Sequence, residues 1–258
     1  GGTHVGTVFH NCMERIDLGH PDLEAHVHEV VARTVRGRLG RLHAAEFERG
    51  ILAVLRTPLG PSLGDNTLVS LGQSNLIAEL GFDMSLPHLS AGVTVRDIAK
   101  VLRTHLPVDD VLAPYASALD HESFEIRLAG LINGSIDALI RVPAADGTFR
   151  LFVSDYKTNR LDREGDRTLI DGYVHGRMLA EMAHHHYPLQ ALIYGTAVHR
   201  YLRWRAPNLD ADATVAGLAY LFVRGMTGPG TPVIDGRTTG VFVWEAPPGL
   251  WAVSYTHL

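Results

Sequence analysis

The segment that most constrains the fold is TVAGLAYLFVR, residues 214–224, because apolar side chains fill successive positions along it. A strand that is apolar on both faces has to be covered on both sides, so this segment predicts a buried strand inside a sheet. Segments with helical spacing of apolar residues occur at 7–16, 21–35, 44–55, 94–106, 173–186 and 188–204. The chain is therefore predicted to be an α/β layer structure, with a mixed central β-sheet flanked by helices.

A meander of further strands is predicted before this buried strand. In residues 75–86 every second side chain is apolar, from Leu76 to Leu86, which predicts a half-buried strand with Glu79 on its polar face. Residues 126–142 predict two strands joined by a hairpin turn at Asn133–Gly134. A second turn at 144–148 leads into a strand at 149–157, and 240–246 predicts an edge strand.

The composition is that of a globular domain, and it excludes several classes of protein. The 258 residues are 46% hydrophobic, which is enough for a sizeable core. No apolar run approaches the ~20 residues that span a bilayer, so no membrane association is predicted. The formal charge of −5 argues against a free-standing, non-specific nucleic-acid binder, but not against a domain that receives nucleic acid from partners. The single cysteine, Cys12, excludes a disulfide framework and favours a reducing, cytoplasmic compartment.

Charged residues end the strand FRLFVSDYK, residues 149–157. Residues i and i+2 project from the same face of a strand, so Asp155 and Lys157 point the same way. Asp137 on the preceding strand comes within reach of Asp155 when the two strands pair. Asp137 is predicted to project from one face of its strand, and the other face is predicted to carry Ile136, Ala138 and Ile140. Burying such charges apart costs several kcal/mol each, a cost that a divalent cation between the carboxylates removes. Hard oxygen ligands suit Mg²⁺ or Mn²⁺.

Each of these residues also has an ordinary structural interpretation. Asp155 and Lys157 can form a surface ion pair, and Asp137 can be a polar residue that flanks a turn. The run His184 to His186 invites a zinc interpretation, but three consecutive residues of a helix spread over about 200° and cannot all face one ion. We interpret them as surface or partner-facing residues. The sequence has no G-x-x-x-x-G-K-[ST] motif, so no ATP site is predicted in this chain.

Asp137 followed by Asp155-Tyr156-Lys157 resembles the D…(D/E)-x-K core of the restriction-endonuclease-like, or PD-(D/E)XK, nucleases. Four segments sharpen the resemblance, to the C-terminal nuclease domains of the RecB family: GTHVGTVFHNCME (2–14), GSIDALIRV (134–142), DYKTNRL (155–161) and YPLQALIYGTAVHRYL (187–202). They keep the family's order and span nearly the whole chain. The resemblance implies one nuclease domain over 1–258, with a mainly helical part at 1–74 and a nuclease core at 75–250. Since residue 1 is Gly and not Met, we expect a piece of a larger helicase–nuclease subunit.

The resemblance implies a metal site and a catalytic residue. The metal ligands would be His10 of the first helix, the carboxylates of Asp137 and Asp155, and the backbone carbonyl of Tyr156. Lys157 would be the catalytic lysine, which holds the attacking water or offsets charge that builds on the phosphate. A lone histidine such as His10 also fits the commoner role of a satisfied helix residue.

Three further residues gain a role from the resemblance alone. Glu79 fits an additional acidic catalytic residue that the family places on an early strand, although most glutamates on a polar face are simply solvated. Gln190 and Tyr194 stand at i and i+4, so one helix face presents both. They would orient Lys157 or the DNA backbone, but they also fit ordinary surface and core positions.

The implied function is that of a Mg²⁺-dependent exo- and endodeoxyribonuclease domain, active in double-strand break repair and recombination. Family members act on DNA strands unwound by a RecBCD-type complex, so the implied partners are RecC-like and RecD-like subunits and the helicase part of the same subunit. The relatives that carry an iron–sulfur cluster need four cysteines, so no such cluster is predicted here. The alternatives are a non-catalytic scaffold that grips DNA or partner proteins, and a hydrolase of RNA or nucleotides.

Overall fold

The structure, a computed structural model, describes residues 2–35, 43–85, 93–121, 127–128 and 130–257. Within these ranges the helices are α1 (Gly2–Met13), α2 (Leu23–Val35), α3 (Ala44–Arg56), α4 (Leu68–Leu71), α5 (Val95–His105), α6 (Ala113–His121), α7 (His175–His184), α8 (Tyr187–Arg205), α9 (Ala211–Thr214) and α10 (Leu250–His257). Among the described helices, none is both long and apolar enough to cross a bilayer.

The strands are β1 (Leu76–Ser85), β2 (Val93–Thr94), β3 (Arg127–Leu128), β4 (Leu131–Pro143), β5 (Phe149–Lys157), β6 (Val215–Phe222), β7 (Val233–Ile234), β8 (Arg237–Thr238) and β9 (Val241–Glu245). Five of them form the main sheet in the order β1-β4-β5-β6-β9. Only the β5–β6 pair is parallel in that sheet, and the other neighbours are antiparallel. The predicted mixed α/β sheet, the strands expected at 75–86 and 149–157, and the edge strand at β9 are confirmed.

The core lies on both faces of this sheet. Alternate residues of β5 separate into two packed groups, with Leu151 and Val153 on one side and Phe152 and Tyr156 on the other. The side with Phe152 is covered by α1, α2 and α3. The side with Leu151 is covered by α5, α6, α7, α8 and α10. The central strand β6 contributes to both groups, as its continuous apolar sequence predicts.

The predicted hairpin turn at Asn133–Gly134 is wrong, because β4 runs straight through it. Asn133 and Gly134 pair with Asp83 and Phe82 of β1 inside the antiparallel ladder. The glycine has a packing role there: a Cβ at Gly134 would lie 3.0 Å from two ring atoms of Phe82. Close approach of a neighbouring side chain therefore explains this glycine better than a turn does.

The predicted regular alternation along β1 and β4 is also wrong at one point. Ile136 packs with the α8 side of the core, whereas Ala138 and Ile140 pack with the α1 side, so the three do not share a face. The same change of side occurs on β1, since Leu76 belongs to the α1 group and Met84 to the α8 group.

Glu79 lies where the two strands change side. Its φ angle is +53°, a left-handed backbone conformation that is uncommon for a residue with a side chain. Ala78 pairs with Ala138 and Leu80 pairs with Ile136, so the register is continuous across the irregular residue. The left-handed conformation of Glu79 therefore changes the face of the sheet to which alternate side chains of β1 point, without inserting an extra residue into the ladder.

Other differences lie at the helix ends. Residues 253–258 fit no element predicted from the sequence, yet α10 reaches His257, and Trp251 packs closely enough that a Cβ at Gly195 would lie 2.3 Å from its ring. The His run does not lie in one helix, because α7 ends at His184 and His186 has a left-handed φ of +55°. The predicted end of the first β-strand, Leu86, lies outside the described residues.

Candidate active site

The candidate site lies at the C-terminal end of β5. Asp155 and Lys157 project from the same face of the strand, and Lys157 Nζ lies 2.7 Å from Asp155 Oδ2. Both are buried, with 5% of Asp155 and 8% of Lys157 exposed. Tyr156 points to the opposite face, where its ring packs 5.6 Å from the ring of Phe9. The predicted common orientation of Asp155 and Lys157 agrees with these contacts.

Asp137 joins this site from β4. Regular pairing of β4 with β5 ends at Ala138 and Ser154, one residue before the two aspartates would face each other. The backbone N–H of Tyr156 instead donates to Asp137 Oδ2 at 2.9 Å, which fixes the carboxylate beside the end of β5. The two aspartates therefore lie near each other where β5 ends beside the middle of β4.

His10 reaches the site from α1. Its Nδ1 lies 3.1 Å from Asp137 Oδ2, and its Nε2 lies 2.9 Å from the backbone carbonyl oxygen of Tyr156. Both ring nitrogens therefore face acceptors, which favours the doubly protonated imidazolium. Burial lowers the pKa of His10, but the hydrogen bond to Asp137 and the charges of Asp137 and Asp155 together raise it above its ordinary value.

The buried carboxyl of Asp155 is the most perturbed acid of the group. Burial, followed by repulsion from the charge of Asp137, raises the pKa of Asp155 from 3.8 to about 6. The ammonium of Lys157 and the charge of His10 act in the opposite direction but do not cancel the increase. Two close carboxylates in a dry setting thus favour a bound cation or proton.

Lys157 is held from the other side by residues of α8 and β6. Its Nζ donates to Gln190 Oε1 at 3.2 Å, and Gln190 Nε2 donates to the hydroxyl of Tyr194 at 3.0 Å. The hydroxyl of Tyr220 also donates to Gln190 Oε1, at 3.0 Å. Gln190 and Tyr194 therefore share the helix face that was predicted for them, and Gln190 contacts the lysine directly.

Two aromatic rings beside Lys157 were not predicted from the sequence. Lys157 Nζ lies 3.7 Å from the ring centroid of Tyr187 and 5.0 Å from that of Tyr220, distances at which an ammonium is attracted by a ring face. The hydroxyl of Tyr187 interacts with the side chain of Asn159. The i, i+3 spacing of Tyr187 and Gln190 would have placed this tyrosine on the same helix face.

Glu79 lies at the margin of the site. It is exposed on β1, at the level of Asp137 on the neighbouring strand. Its charge is one of the minor causes that raise the pKa of Tyr194, after burial of that phenol. Within the described part of the chain, Glu79 has neither an ion pair nor a side-chain hydrogen bond. Its side chain is therefore close to the site without contacting the two aspartates.

Comparison with known proteins supplies the family. A family model described as the PD-(D/E)XK nuclease superfamily matches residues 2–240. The chain belongs to the PD-(D/E)XK nuclease superfamily. The strand-end pair Asp155 and Lys157, with Asp137 on the neighbouring strand, has the order of carboxylates and lysine for which this superfamily is named.

Among curated proteins, the chain is similar to the RecBCD enzyme subunit RecB of several bacteria. It is 38% identical to that of Mycobacterium tuberculosis over 96% of this chain and 23% of the relative. The subunit of Mycolicibacterium smegmatis is 37% identical over the same shares. The subunit of Escherichia coli is 28% identical over 87% of this chain and 17% of the relative. The resemblance to the RecB nuclease domains is confirmed, and the chain spans less than a quarter of these relatives.

The donor set of this PD-(D/E)XK domain fits a hard divalent cation. Two carboxylates and a backbone carbonyl offer oxygen ligands, and His10 adds a nitrogen. Over the ranges that the structure describes, no group of three or more His, Cys, Asp and Glu side chains is arranged as a ready metal site. His10 Nδ1 contacts the carboxylate of Asp137, and Lys157 Nζ contacts that of Asp155. The side chains are near one another, and cationic groups of the protein itself offset part of the charge of the two carboxylates.

Proposed function

We propose that this chain is the metal-dependent deoxyribonuclease domain of a RecBCD-type helicase–nuclease, and that it hydrolyses phosphodiesters of unwound DNA. The observation that carries the proposal is the buried group at the end of β5. Asp155 and Lys157 are almost fully buried, and the backbone N–H of the intervening Tyr156 donates to Asp137. Buried, closely spaced charges of this kind are costly, and they typically mark a catalytic site.

The proposed metal ligands are His10, Asp137, Asp155 and the carbonyl oxygen of Tyr156. Their mainly oxygen donors suit Mg²⁺, with Mn²⁺ as a substitute. When bound, such an ion polarises a phosphoryl oxygen and acidifies a water molecule. The acceptor contacts of His10 support this assignment, since its two nitrogens already lie within 3.1 Å of Asp137 and of the Tyr156 carbonyl.

The proposed role of Lys157 is to hold the attacking water and to offset the negative charge that develops on the phosphate. Gln190 positions this ammonium through the 3.2 Å hydrogen bond, and Tyr194 fixes the amide of Gln190. Glu79 lies where it would act on a substrate-bound water more readily than on a shared metal ion, because it is exposed and separate from the two aspartates.

The relatives carry the name RecBCD enzyme subunit RecB, which supports a place for this chain in a helicase–nuclease assembly. We propose RecC-like and RecD-like subunits, and the helicase part of the same polypeptide, as its partners. Single strands that leave the helicase would be delivered to the domain in the cytoplasm. This arrangement agrees with a domain charge of −5, which gives the domain little general attraction for DNA.

A cleavage assay tests the proposal. Purified protein with Mg²⁺ is given labelled single-stranded DNA, linear duplex DNA and RNA of equal length. We expect cleavage of DNA, its loss on addition of EDTA, and its loss in Asp155→Ala. The matched control is Asp146→Ala, which removes an exposed carboxylate from the turn at the opposite end of β5.

Three results would contradict the proposal. Unchanged cleavage by Asp155→Ala would mean that the reaction does not require this carboxylate. Cleavage of RNA but not DNA would favour the RNA or nucleotide hydrolase. Binding of DNA with no metal-dependent cleavage, in the intact assembly as well as in this domain, would favour the scaffold.

A further inference from the structure

A cavity of about 520 Å³ opens beside the candidate site, between α1, α3 and the segment that follows β5. One wall is apolar and consists of Val5, Phe9, Phe47, Ile51 and Val54. Three exposed arginines lie at its rim: Arg49, Arg160 and Arg224. We call this feature the arginine groove. Its volume lies in the range of about 300–1,000 Å³ that is usual for small-molecule sites.

The arginine groove is continuous with the candidate site. Phe9 in its wall precedes His10 in α1, and the ring of Phe9 packs against Tyr156. Thr158, which also lines the groove, directly follows Lys157 in the chain. Arg224 Nε donates to the backbone carbonyl of Thr158 at 2.9 Å, which fixes this arginine at the boundary between the two features. A polymer whose backbone crosses the site can therefore extend into the groove.

The charge of the groove rim differs in sign from that of the whole chain. The rim holds three arginines and two acids, Glu46 and Asp162, in a chain whose formal charge is −5. Asp162 is occupied by Arg160, whose Nε lies 2.7 Å from Asp162 Oδ1. Arg49 and Arg224 have no carboxylate partner among the residues that the structure describes. The local excess of positive charge suits a chain of phosphates.

The opposite side of the site has a different character. A cavity of about 350 Å³ there lies between β1 and α8, and its lining includes Leu80, Phe82 and Arg141. The guanidinium of Arg141 is already held, because it donates to the side chain of Asn75 and lies over the ring of Phe149. The neighbouring exposed residues of β1 include Glu79 and Asp83, which would repel phosphates. The charges thus favour the arginine groove as the path of a nucleic-acid strand.

We propose that the arginine groove binds the single DNA strand that flanks the scissile phosphate. Arg49 and Arg224 contact its phosphates, and one base enters the cavity against the half-buried ring of Phe47. Stacking on an aromatic ring does not depend on base identity, which suits an enzyme that degrades DNA of any sequence. This inference rests on the proposed function and adds a strand path to it.

Equilibrium binding tests the groove separately from catalysis. The probe is fluorescein-labelled oligo(dT), measured by anisotropy at low salt in EDTA, so that no cleavage occurs. We expect Arg49→Glu to weaken binding by at least about threefold, and to reduce the slope of log affinity against log salt by about 0.7, because one fewer phosphate is neutralised. Glu46→Lys should strengthen binding. The matched control is Lys100→Glu on α5, which packs on the other face of the sheet.

A second measurement tests the base site. An oligonucleotide of the same length that lacks bases should bind the unmodified protein more weakly than oligo(dT). This difference should shrink in Phe47→Leu, which keeps an apolar side chain but removes the ring. An equal preference for oligo(dT) in the unmodified protein and in Phe47→Leu would mean that no base stacks on Phe47, and it would overturn that part of the inference.

The outcomes separate the strand path from the proposed function. If Arg49→Glu and Lys100→Glu bind oligo(dT) equally, or if the unmodified protein binds none at low salt, the groove is not the strand path. If the groove variants behave as expected but the unmodified protein cuts no DNA with Mg²⁺, the strand path stands and the nuclease assignment is wrong.

Discussion

Replacing Asp155 by Asn should stabilise the metal-free protein while it abolishes metal-dependent activity. Burial and the charge of Asp137 raise the pKa of Asp155 from 3.8 to about 6, so the folded state favours the protonated, neutral carboxyl. Asparagine has nearly the same shape as that neutral form and keeps an oxygen that can accept a hydrogen bond from Lys157. The substitution therefore removes a buried charge without leaving a cavity.

The magnitude follows from the difference between folded and unfolded pKa values. A pKa of about 6 instead of 3.8 is a difference of about two units, which corresponds to roughly 3 kcal/mol at pH 8. Because this pKa is raised, the contribution of Asp155 to the stability of the metal-free protein is fully present below about pH 4 and is lost as pH rises through about 6. In a domain of this size, 1 kcal/mol shifts the melting temperature by about 2–4 °C. Asp155→Asn should then melt about 6–12 °C higher at pH 8 in EDTA.

Thermal unfolding with and without Mg²⁺ measures both effects. Mg²⁺ should raise the melting temperature of the unmodified protein, because a ligand that binds the folded state stabilises it, but it should have little effect on Asp155→Asn. At about pH 4 the two proteins should melt at similar temperatures, since Asp155 is then protonated in the fold. Asp146→Asn is the control, because hydrogen bonds from Thr148 lower the pKa of that exposed carboxyl and its removal gives no stabilisation.

A lower melting temperature for Asp155→Asn at pH 8 in EDTA would refute this reasoning. It would mean that attraction to Lys157 outweighs the cost of burial and the repulsion from Asp137. The two aspartates would then form a stabilising ion-pair network with His10 and Lys157, and their burial would no longer indicate a site that awaits a cation.

Three further substitutions separate the roles of neighbouring residues. Lys157→Ala should lose about 100-fold or more in turnover while Mg²⁺ still raises its melting temperature, because a charge-stabilising group is removed but no ligand is. Tyr187→Leu should lower kcat more than Tyr187→Phe, which retains the ring 3.7 Å from Lys157 Nζ; steady-state kinetics on single-stranded DNA compare the two. Gly134→Ala should destabilise the fold by about 1–3 kcal/mol, because its Cβ would lie 3.0 Å from Phe82, and urea denaturation measures the loss. An unchanged unfolding midpoint for Gly134→Ala would mean that the contact with Phe82 does not require glycine at this position.

Strong local sequence patterns predicted the main strands and helices of the fold. The continuous apolar sequence of β6 indicated a strand covered on both faces, and the two-residue spacing of Asp155 and Lys157 placed both on one face of β5. The helix predicted at 94–106 is α5, and a capping box of Thr94 and Asp97 starts it. In each case neighbouring residues in the chain determine the feature, so the sequence pattern is sufficient.

The errors have tertiary causes. Asn133–Gly134 has the local preference of a turn, but its pairing with β1 and the contact with Phe82 decide its conformation. The left-handed backbone at Glu79 cannot be inferred from alternation, because a residue other than glycine in that conformation depends on the surrounding structure. The ring of Tyr220 beside Lys157 comes from a strand 63 positions further along the chain, and only the parallel pairing of β5 with β6 brings it there.

Metal binding should release protons from this site. His10 directs both ring nitrogens at acceptors, so its Nδ1 or Nε2 must lose a proton before it can serve as a ligand. Asp155, with its pKa of about 6, must also be ionised. Apparent Mg²⁺ affinity should therefore rise with pH through and above about 6. Calorimetric titrations in buffers of different ionisation enthalpy measure the protons released, and His10→Gln should release fewer. Proton uptake, or an affinity independent of pH between 5 and 8, would mean that neither His10 nor Asp155 loses a proton when the cation binds.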